Sequence, residues 1–303
     1  METIKPAYIE THRKGLLRKK AETAREALSN CCLCPRKCGV DRLKNDAKGV
    51  CKTGASAVVA SYHPHFGEEA PLVGRNGSGT IFFTHCNLNC CFCQNYDISH
   101  GGAGRTLTST ELAAMMIELQ HTGCHNINFV SPSHVVPQIL SALEIAVEKG
   151  LKVPLIYNTG GYDRVKTLKL LEGVFDIFMP DFKFWRSDMA AMTCQAPDYP
   201  DVCCAALKEM HSQVGDLVVD DSGVARQGLL VRHLVMPQNL AGTRKIMHFI
   251  ATKISRQTYV NVMGQYRPCG RADEIDGLNR RISLLEFRQA VRDARQEGLT
   301  RLD

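Results

Sequence analysis

The chain has 303 residues, 44% of them hydrophobic and 22% charged, with 24 Gly and 12 Pro, a composition that excludes a disordered or fibrous protein. No window approaches the roughly 18 consecutive apolar residues of a spanning helix, and the opening METIKPAYIETHRKGLLRKK lacks the apolar stretch of a secretion signal, so a cytoplasmic protein with no membrane contact is expected. The net charge of +6 is concentrated in residues 1–53, which hold 13 Lys and Arg against 6 Asp and Glu; Glu10, Glu22 and Glu26 interleave with the cations at helical spacing and no aromatic platform accompanies them, which describes a solvated helix face rather than a nucleic-acid surface.

In chain order, residues 8–29 read as one charged helix ending at Ser29-Asn30. From there to Gly79 the chain is rich in Cys, Gly and His with one short apolar run, Ala57 to Ala60, as in a small attachment without its own core. Beyond Gly77-Ser78-Gly79 the pattern alternates between strand and helix. Residues 80–84 form a first strand, and Ser109 and Thr110 offer caps to the helix ELAAMMIELQ, which stops at Gly123. A strand at 126–130 leads into a helix at 133–149 closed by Gly150, and the unit repeats as strand 153–157, helix 164–171 and strand 175–179. Two helices, 187–193 and 200–213, precede strands 229–236 and 259–263, which flank a helix at 240–254; an amphipathic helix at 283–297 ends the chain. Six such alternations imply an α/β fold with a parallel sheet, either a barrel, partial or full, or a doubly wound sheet, with function at the C-terminal strand ends. The expected division is a helical, Cys-rich N-terminal extension (1–75), a strand-helix body (76–270) and a C-terminal helical segment (271–303).

Of 14 cysteines, nine fall between Cys31 and Cys93, and clustered thiols in a chain without a secretion signal bind metal more readily than they form disulfides. Cys86, Cys90 and Cys93 follow the first strand in FFTHCNLNCCFCQNYDIS with the spacing C-x3-C-x2-C. Three thiolates on one tight loop can hold three irons of a [4Fe-4S] cluster and leave the fourth iron open to a ligand, whereas a structural zinc wants a closed set of four. Cys91 is an extra thiol, poorly spaced for ligation.

With Phe92 as the aromatic of a C-x3-C-x-aromatic-C pattern, the chain resembles the radical S-adenosylmethionine (SAM) superfamily. Within it, GSGTIFFTHCNLNCCFCQN is similar to the pyruvate formate-lyase activating enzymes, and YNTGGY, DIFMPDFK, GLLVRHLVMP and NVMGQYRP extend the likeness over essentially the whole chain, toward the poorly characterised branch named as homologues of that group. The resemblance implies a partial (β/α)6-type barrel in which S-adenosyl-L-methionine chelates the open iron through its amino and carboxylate groups. One electron from the reduced cluster, delivered by a flavodoxin- or ferredoxin-type donor, then breaks SAM into methionine and a 5′-deoxyadenosyl radical that takes a hydrogen atom from the substrate. In activating enzymes that substrate is a glycine of a glycyl radical enzyme.

Where that group carries a Gly-Gly-Glu-Pro motif for the SAM amino group, this chain has Phe129-Val130-Ser131-Pro132-Ser133-His134, so Ser131 is the candidate acceptor, against a turn and helix cap built by Ser133. Asn158-Thr159 ends the third strand, and Met179-Pro180-Asp181-Phe182-Lys183 resembles the family's Met-x-Asp-x-Lys strand end, whose Lys approaches SAM and whose Asp, with the Asp-Thr of the preceding strand, can hold a monovalent cation; Asn158 replaces that Asp. Asp181 and Lys183 are therefore the catalytic candidates, with an internal ion pair as the alternative. Arg232 interrupts the apolar LLVRHLVM at the position of a SAM-touching Arg, or else pairs with an acid distant in sequence. His233 faces the opposite side by alternation and reads as a packing residue, while Gln265 and Tyr266 are weaker candidates where the family uses a His near the ribose.

Cys31, Cys34, Cys38 and Cys51, spaced C-x2-C-x3-C-x12-C, could close a structural zinc site or an additional iron–sulfur cluster. The segment His63-Pro64-His65-Phe66-Gly67-Glu68-Glu69 reads as a surface loop. Three functions follow: a glycyl-radical activase, a radical SAM enzyme acting on a small molecule, peptide or other protein side chain, or an Fe–S electron-transfer protein, which an open three-cysteine set serves less well than a closed one.

Overall fold

The apolar runs after residue 77 become strands of one mixed nine-stranded sheet in the computed structural model, which describes residues 5–44 and 49–303. The strands are β1 (Ala57–His65), β2 (Ser78–Phe83), β3 (Arg105–Leu107), β4 (Ile127–Val130), β5 (Leu155–Thr159), β6 (Ile177–Pro180), β7 (Val218–Val219), β8 (Ala225–Leu234) and β9 (Tyr259–Met263). β2, β4, β5, β6, β8 and β9 are parallel and adjacent in chain order, without the reversal of a doubly wound sheet. β1 runs antiparallel to β2 at the first edge, β3 lies outside β1, and β7 pairs with the start of β8. No helix among the described residues is long and apolar enough to cross a membrane.

Several element boundaries differ from those expected, each for a local reason. The first helix is two, Ala7–Arg13 and Leu16–Glu26, because Gly15 takes a left-handed φ of 68° between them. The Ala57 run continues to His65, so His63-Pro64-His65 is strand paired to β2 rather than loop. The cap of the helix Ser109–His121 is Thr108, whose hydroxyl takes the Glu111 N–H while the Glu111 carboxylate takes that of Thr108. Ser133 caps nothing; it lies in a tight turn, Pro132–His134, its hydroxyl 3.0 Å from that of Thr159, and the helix starts at Val136. The helix expected over 240–254 is Thr243–Phe249 followed by a π turn, Ile250–Ile254.

Alternation gives the parallel strands two faces. Phe129, Leu155, Tyr157, Phe178, Val231 and Val260 form one buried apolar core with the helices. The opposite face carries Asn128, Asn158, Asp181, Arg232 and Asn261, and is called the inner face below. β1 runs back toward the N-terminal strand ends, so the chain that follows crosses that end. There Leu72 is buried with Ile156, Ile177 and Leu230, and its carbonyl accepts from Asn126 Nδ2 at 2.8 Å. The first helix is pinned to the same end: the Ala7 N–H donates to Asp176 at 2.7 Å, the Tyr8 hydroxyl to the Val153 carbonyl at 2.9 Å and the Thr11 hydroxyl to that of Gly173 at 2.6 Å.

Candidate active site

The loop leaving β2 curls through two left-handed residues, His85 (φ 69°) and Asn89 (φ 59°), and carries Cys86, Cys90 and Cys93 around one turn. Its carbonyls are held from outside. Arg36 donates to Asn87 O at 2.9 Å, Leu88 O at 3.0 Å and Cys194 O at 2.6 Å, and Asn87 Nδ2 donates to Tyr162 O at 2.7 Å. Burial and the neighbouring Cys90 push the Cys86 thiol up to about 11, and the same two causes raise Cys93. Cys90 is raised first by contact with Cys194, whose thiol lies 3.3 Å away, and then by burial. Lys183 opposes the shift at both Cys90 and Cys93, so it is a cation close to this turn. Burial and the repulsion between neighbouring thiolates disfavour ionisation of all three, and positive charge such as iron supplies would favour it; the donor set thus suits a cluster held by three thiolates. Among the described residues no three Cys, His, Asp or Glu side chains converge as a single bound ion requires.

Cys91 is set apart, its N–H donating to Thr193 O at 2.8 Å, its carbonyl accepting from Arg271 N at 2.7 Å, and Arg271 and Glu274 as charged neighbours. The Phe92 ring is buried against Phe184 and Tyr266, at centroid distances of 5.7 and 6.3 Å, and braces the loop from behind.

On the inner face, the strand ends bring four candidates together. Asp181 accepts from Lys183 Nζ at 2.6 Å and Arg232 Nε at 2.8 Å, and Arg232 Nη2 reaches Asn158 Oδ1 at 2.7 Å. Burial alone would raise the Asp181 pKa, but Arg232 and then Lys183 outweigh it and hold the carboxyl below its usual range. Burial works against charge on Lys183 and Arg232 too, yet Asp181 leaves both pKa values above normal. Arg232 therefore has the acid partner that sequence left open, and a second in Glu68 at 3.4 Å. Gly160 and Gly161 permit this convergence: a Cβ on Gly161, at φ 76°, would sit 2.3 Å from Asp181 O, and one on Gly160 would press on Leu88 of the cysteine loop.

The remaining candidates are placed differently. Thr159 turns to the outer face, where its hydroxyl donates to Asp163 at 2.5 Å. Ser131 ends β4 with φ 59°, its N–H bonded to Asn158 O at 2.9 Å. Gln265 is exposed between two cavities, one of ≈ 240 Å³ lined by Glu68, Glu69, Arg232, Asn261 and Met263, the other of ≈ 440 Å³ lined by Gln94, Tyr266, Arg267, Arg281 and Ile282. His233 is fully buried between Phe182 O and the Thr243 hydroxyl, and burial holds it neutral with a pKa of about 4.

Sequence reasoning missed four contributors. Glu68 and Glu69, expected on a surface loop, are drawn inside, Glu68 to Asn128 and Arg232 and Glu69 to Asn261 at 2.8 Å. Cys194 meets Cys90 across 104 residues, beyond the reach of any spacing rule. Tyr199 accepts the Lys183 N–H at 2.9 Å and lies 2.9 Å from the carbonyls of both Gly160 and Asp181.

No family model matches the chain. It is 32% identical over 306 residues, 99% of this chain and 82% of the relative, to a protein of Methanocaldococcus jannaschii described as "Uncharacterized protein MJ0674".

Proposed function

The chain belongs to the family of that archaeal protein, and from this premise we propose that it is a radical SAM enzyme of the activating-enzyme type. The observation that carries the reading is the three-thiol turn at the end of β2, with Lys183 beside it and the Asp181–Arg232 pair at the neighbouring strand ends. On this reading β2, β4, β5, β6, β8 and β9 are the strands of a partial (β/α)6-type barrel, and residues 1–75 are a Cys-rich extension to it.

Cys86, Cys90 and Cys93 would hold a [4Fe-4S] cluster whose chemistry, once reduced by a flavodoxin- or ferredoxin-type donor, is the one-electron cleavage of SAM to methionine and a 5′-deoxyadenosyl radical that takes a hydrogen atom from substrate. Lys183 offsets thiolate charge beside Cys90. Arg232 has five N–H donors and commits three, to Asp181, Asn158 and Glu68; the remaining two suit the SAM carboxylate. Asp181 is a positioning residue that keeps both cations charged and aimed at the inner face. Ser131, just after β4, Asn158, in β5, and Gln265, on the cavity beside Arg232, would contact SAM, while Phe92 and Thr159 act from behind. Leu72 and its neighbours exclude water from the far end. The ≈ 440 Å³ cavity beside Gln94 and Gln265 is open, with Arg267 and Arg281 alongside Tyr266 and Ile282, which suits a glycine-bearing loop of a partner polypeptide as the target.

Anaerobically reconstituted, reduced protein should form 5′-deoxyadenosine from SAM. Cys90→Ala should abolish the product and Cys91→Ala retain it. Undiminished cleavage by Cys90→Ala overturns the reading.

A further inference from the structure

Cys31, Cys34, Cys38 and Cys51 come together on the far side of Arg36 from the cysteine turn. The hairpin that carries three of them is tied down: Cys31 and Val40 pair through N–H···O at 2.9 Å, Gly39 N–H returns to Cys31 O at 2.9 Å, and Thr167 and Arg164 donate to the carbonyls of Leu33 and Cys32, both at 2.6 Å. All four thiols line one cavity of ≈ 10 Å³, together with Arg42 and His134.

Those two companions are the informative residues. Arg42 is 1% exposed, and among the described residues it has no carboxylate partner. Its Nη2 donates to Gly54 O and His134 O, its Nη1 lies 3.7 Å from Cys31 Sγ, and its Nε is buried without a partner. His134 is equally buried; its Nε2 meets Thr84 O at 3.0 Å and its Nδ1 has no partner. A buried guanidinium without an anion is costly, and neutral thiols supply none. Four thiolates on a metal centre do, since they leave a net negative charge against Arg42.

We propose that Cys31, Cys34, Cys38 and Cys51 hold a second metal centre, zinc or iron–sulfur, closed by four thiolates and charge-balanced by Arg42. The site stands independently of the SAM reading and fastens the N-terminal segment to the sheet.

The test is the metal content of anaerobically reconstituted full-length protein, with absorption and electron paramagnetic resonance spectra of the reduced samples. Wild type should carry more metal than one cluster accounts for, either about eight irons or about four irons and one zinc, and the elemental analysis separates the two. The Cys86→Ala/Cys90→Ala/Cys93→Ala variant should keep that surplus and Cys34→Ser should lose it. In the triple variant, Arg42→Leu should let a chelator strip the retained metal faster, because the thiolate centre loses its positive neighbour, and Arg42→Lys should restore its retention. Four irons and no other metal in wild type, lost in the triple variant, overturns the proposal, as does a surplus that Cys34→Ser retains. Four irons in both wild type and triple variant supports this site and overturns the cluster at Cys86, Cys90 and Cys93 instead.

Discussion

The two cysteine sites balance charge in opposite ways. At the strand ends the cations Lys183 and Arg232 already have Asp181 between them and Glu68 beside Arg232, so two carboxylates face two cations before anything binds. At the N-terminal hairpin Arg42 has, among the described residues, only a thiol and carbonyls as hydrogen-bond partners. A site that is balanced alone can fill and empty with each turnover; one that is balanced only by its metal suits permanent occupancy. The open site accordingly reaches a cavity of ≈ 240 Å³ through Arg232, and the closed one encloses ≈ 10 Å³.

The contrast breaks most sharply at Asp181. Asp181→Leu strands buried Lys183 and leaves Arg232 with Glu68 as its acid partner, and should destabilise the fold by about 3–5 kcal/mol in urea unfolding. A loss below about 1 kcal/mol, the range of an exposed pair, would mean that the inner face is not balanced by this carboxylate.

A smaller effect separates charge from geometry in the open site. Arg232→Lys keeps the cation but loses the fork that spans Asp181, Asn158 and a ligand carboxylate, so SAM binding measured by calorimetry should weaken by about 1.5–3 kcal/mol, roughly ten- to hundredfold. Unchanged affinity would confine Arg232 to internal pairing.

The smallest effect reaches the closed region through its attachment. Asp176 accepts from Ala7 N and Leu155 N, and burial raises its pKa from 3.8 to about 7. A carboxyl raised on folding contributes stability below about pH 4 that is lost as pH climbs through 7. Amide exchange in residues 7–26 should quicken from pH 5 to pH 8, after correction for intrinsic rates, more than in β2 and β9, which make no bond to Asp176. Asp176→Asn should flatten that difference, and equal pH dependence in both regions would sever the link.

What was legible in the sequence was local. The strand runs and the C-x3-C-x2-C turn are periodicities of two to four residues, and the apolar strand broken by Arg232 announces a buried cation within ten residues. Its partners do not announce themselves: Glu68 and Glu69 look like solvated charges until Arg232, 164 residues on, and Asn261, 192 residues on, arrive to bury them. Gly15 misled differently, since one glycine in a charged helical pattern costs only about 1 kcal/mol and reads as tolerated, yet here it turns the chain between two helices. The closed site was half legible: its four thiols were spaced for ligation, but Arg42 lies among scattered basic residues and shows its isolation only once folded.

The antiparallel first strand has a consequence for traffic. By carrying the chain under the sheet, β1 seats Leu72 across the N-terminal strand ends, with Glu68 and Glu69 above it. The inner face is thus stoppered at the end away from the cysteine turn. On the radical SAM reading proposed above, SAM and its spent fragments would share the approach beside Gln265, and their clearance would bound how fast the cycle could repeat.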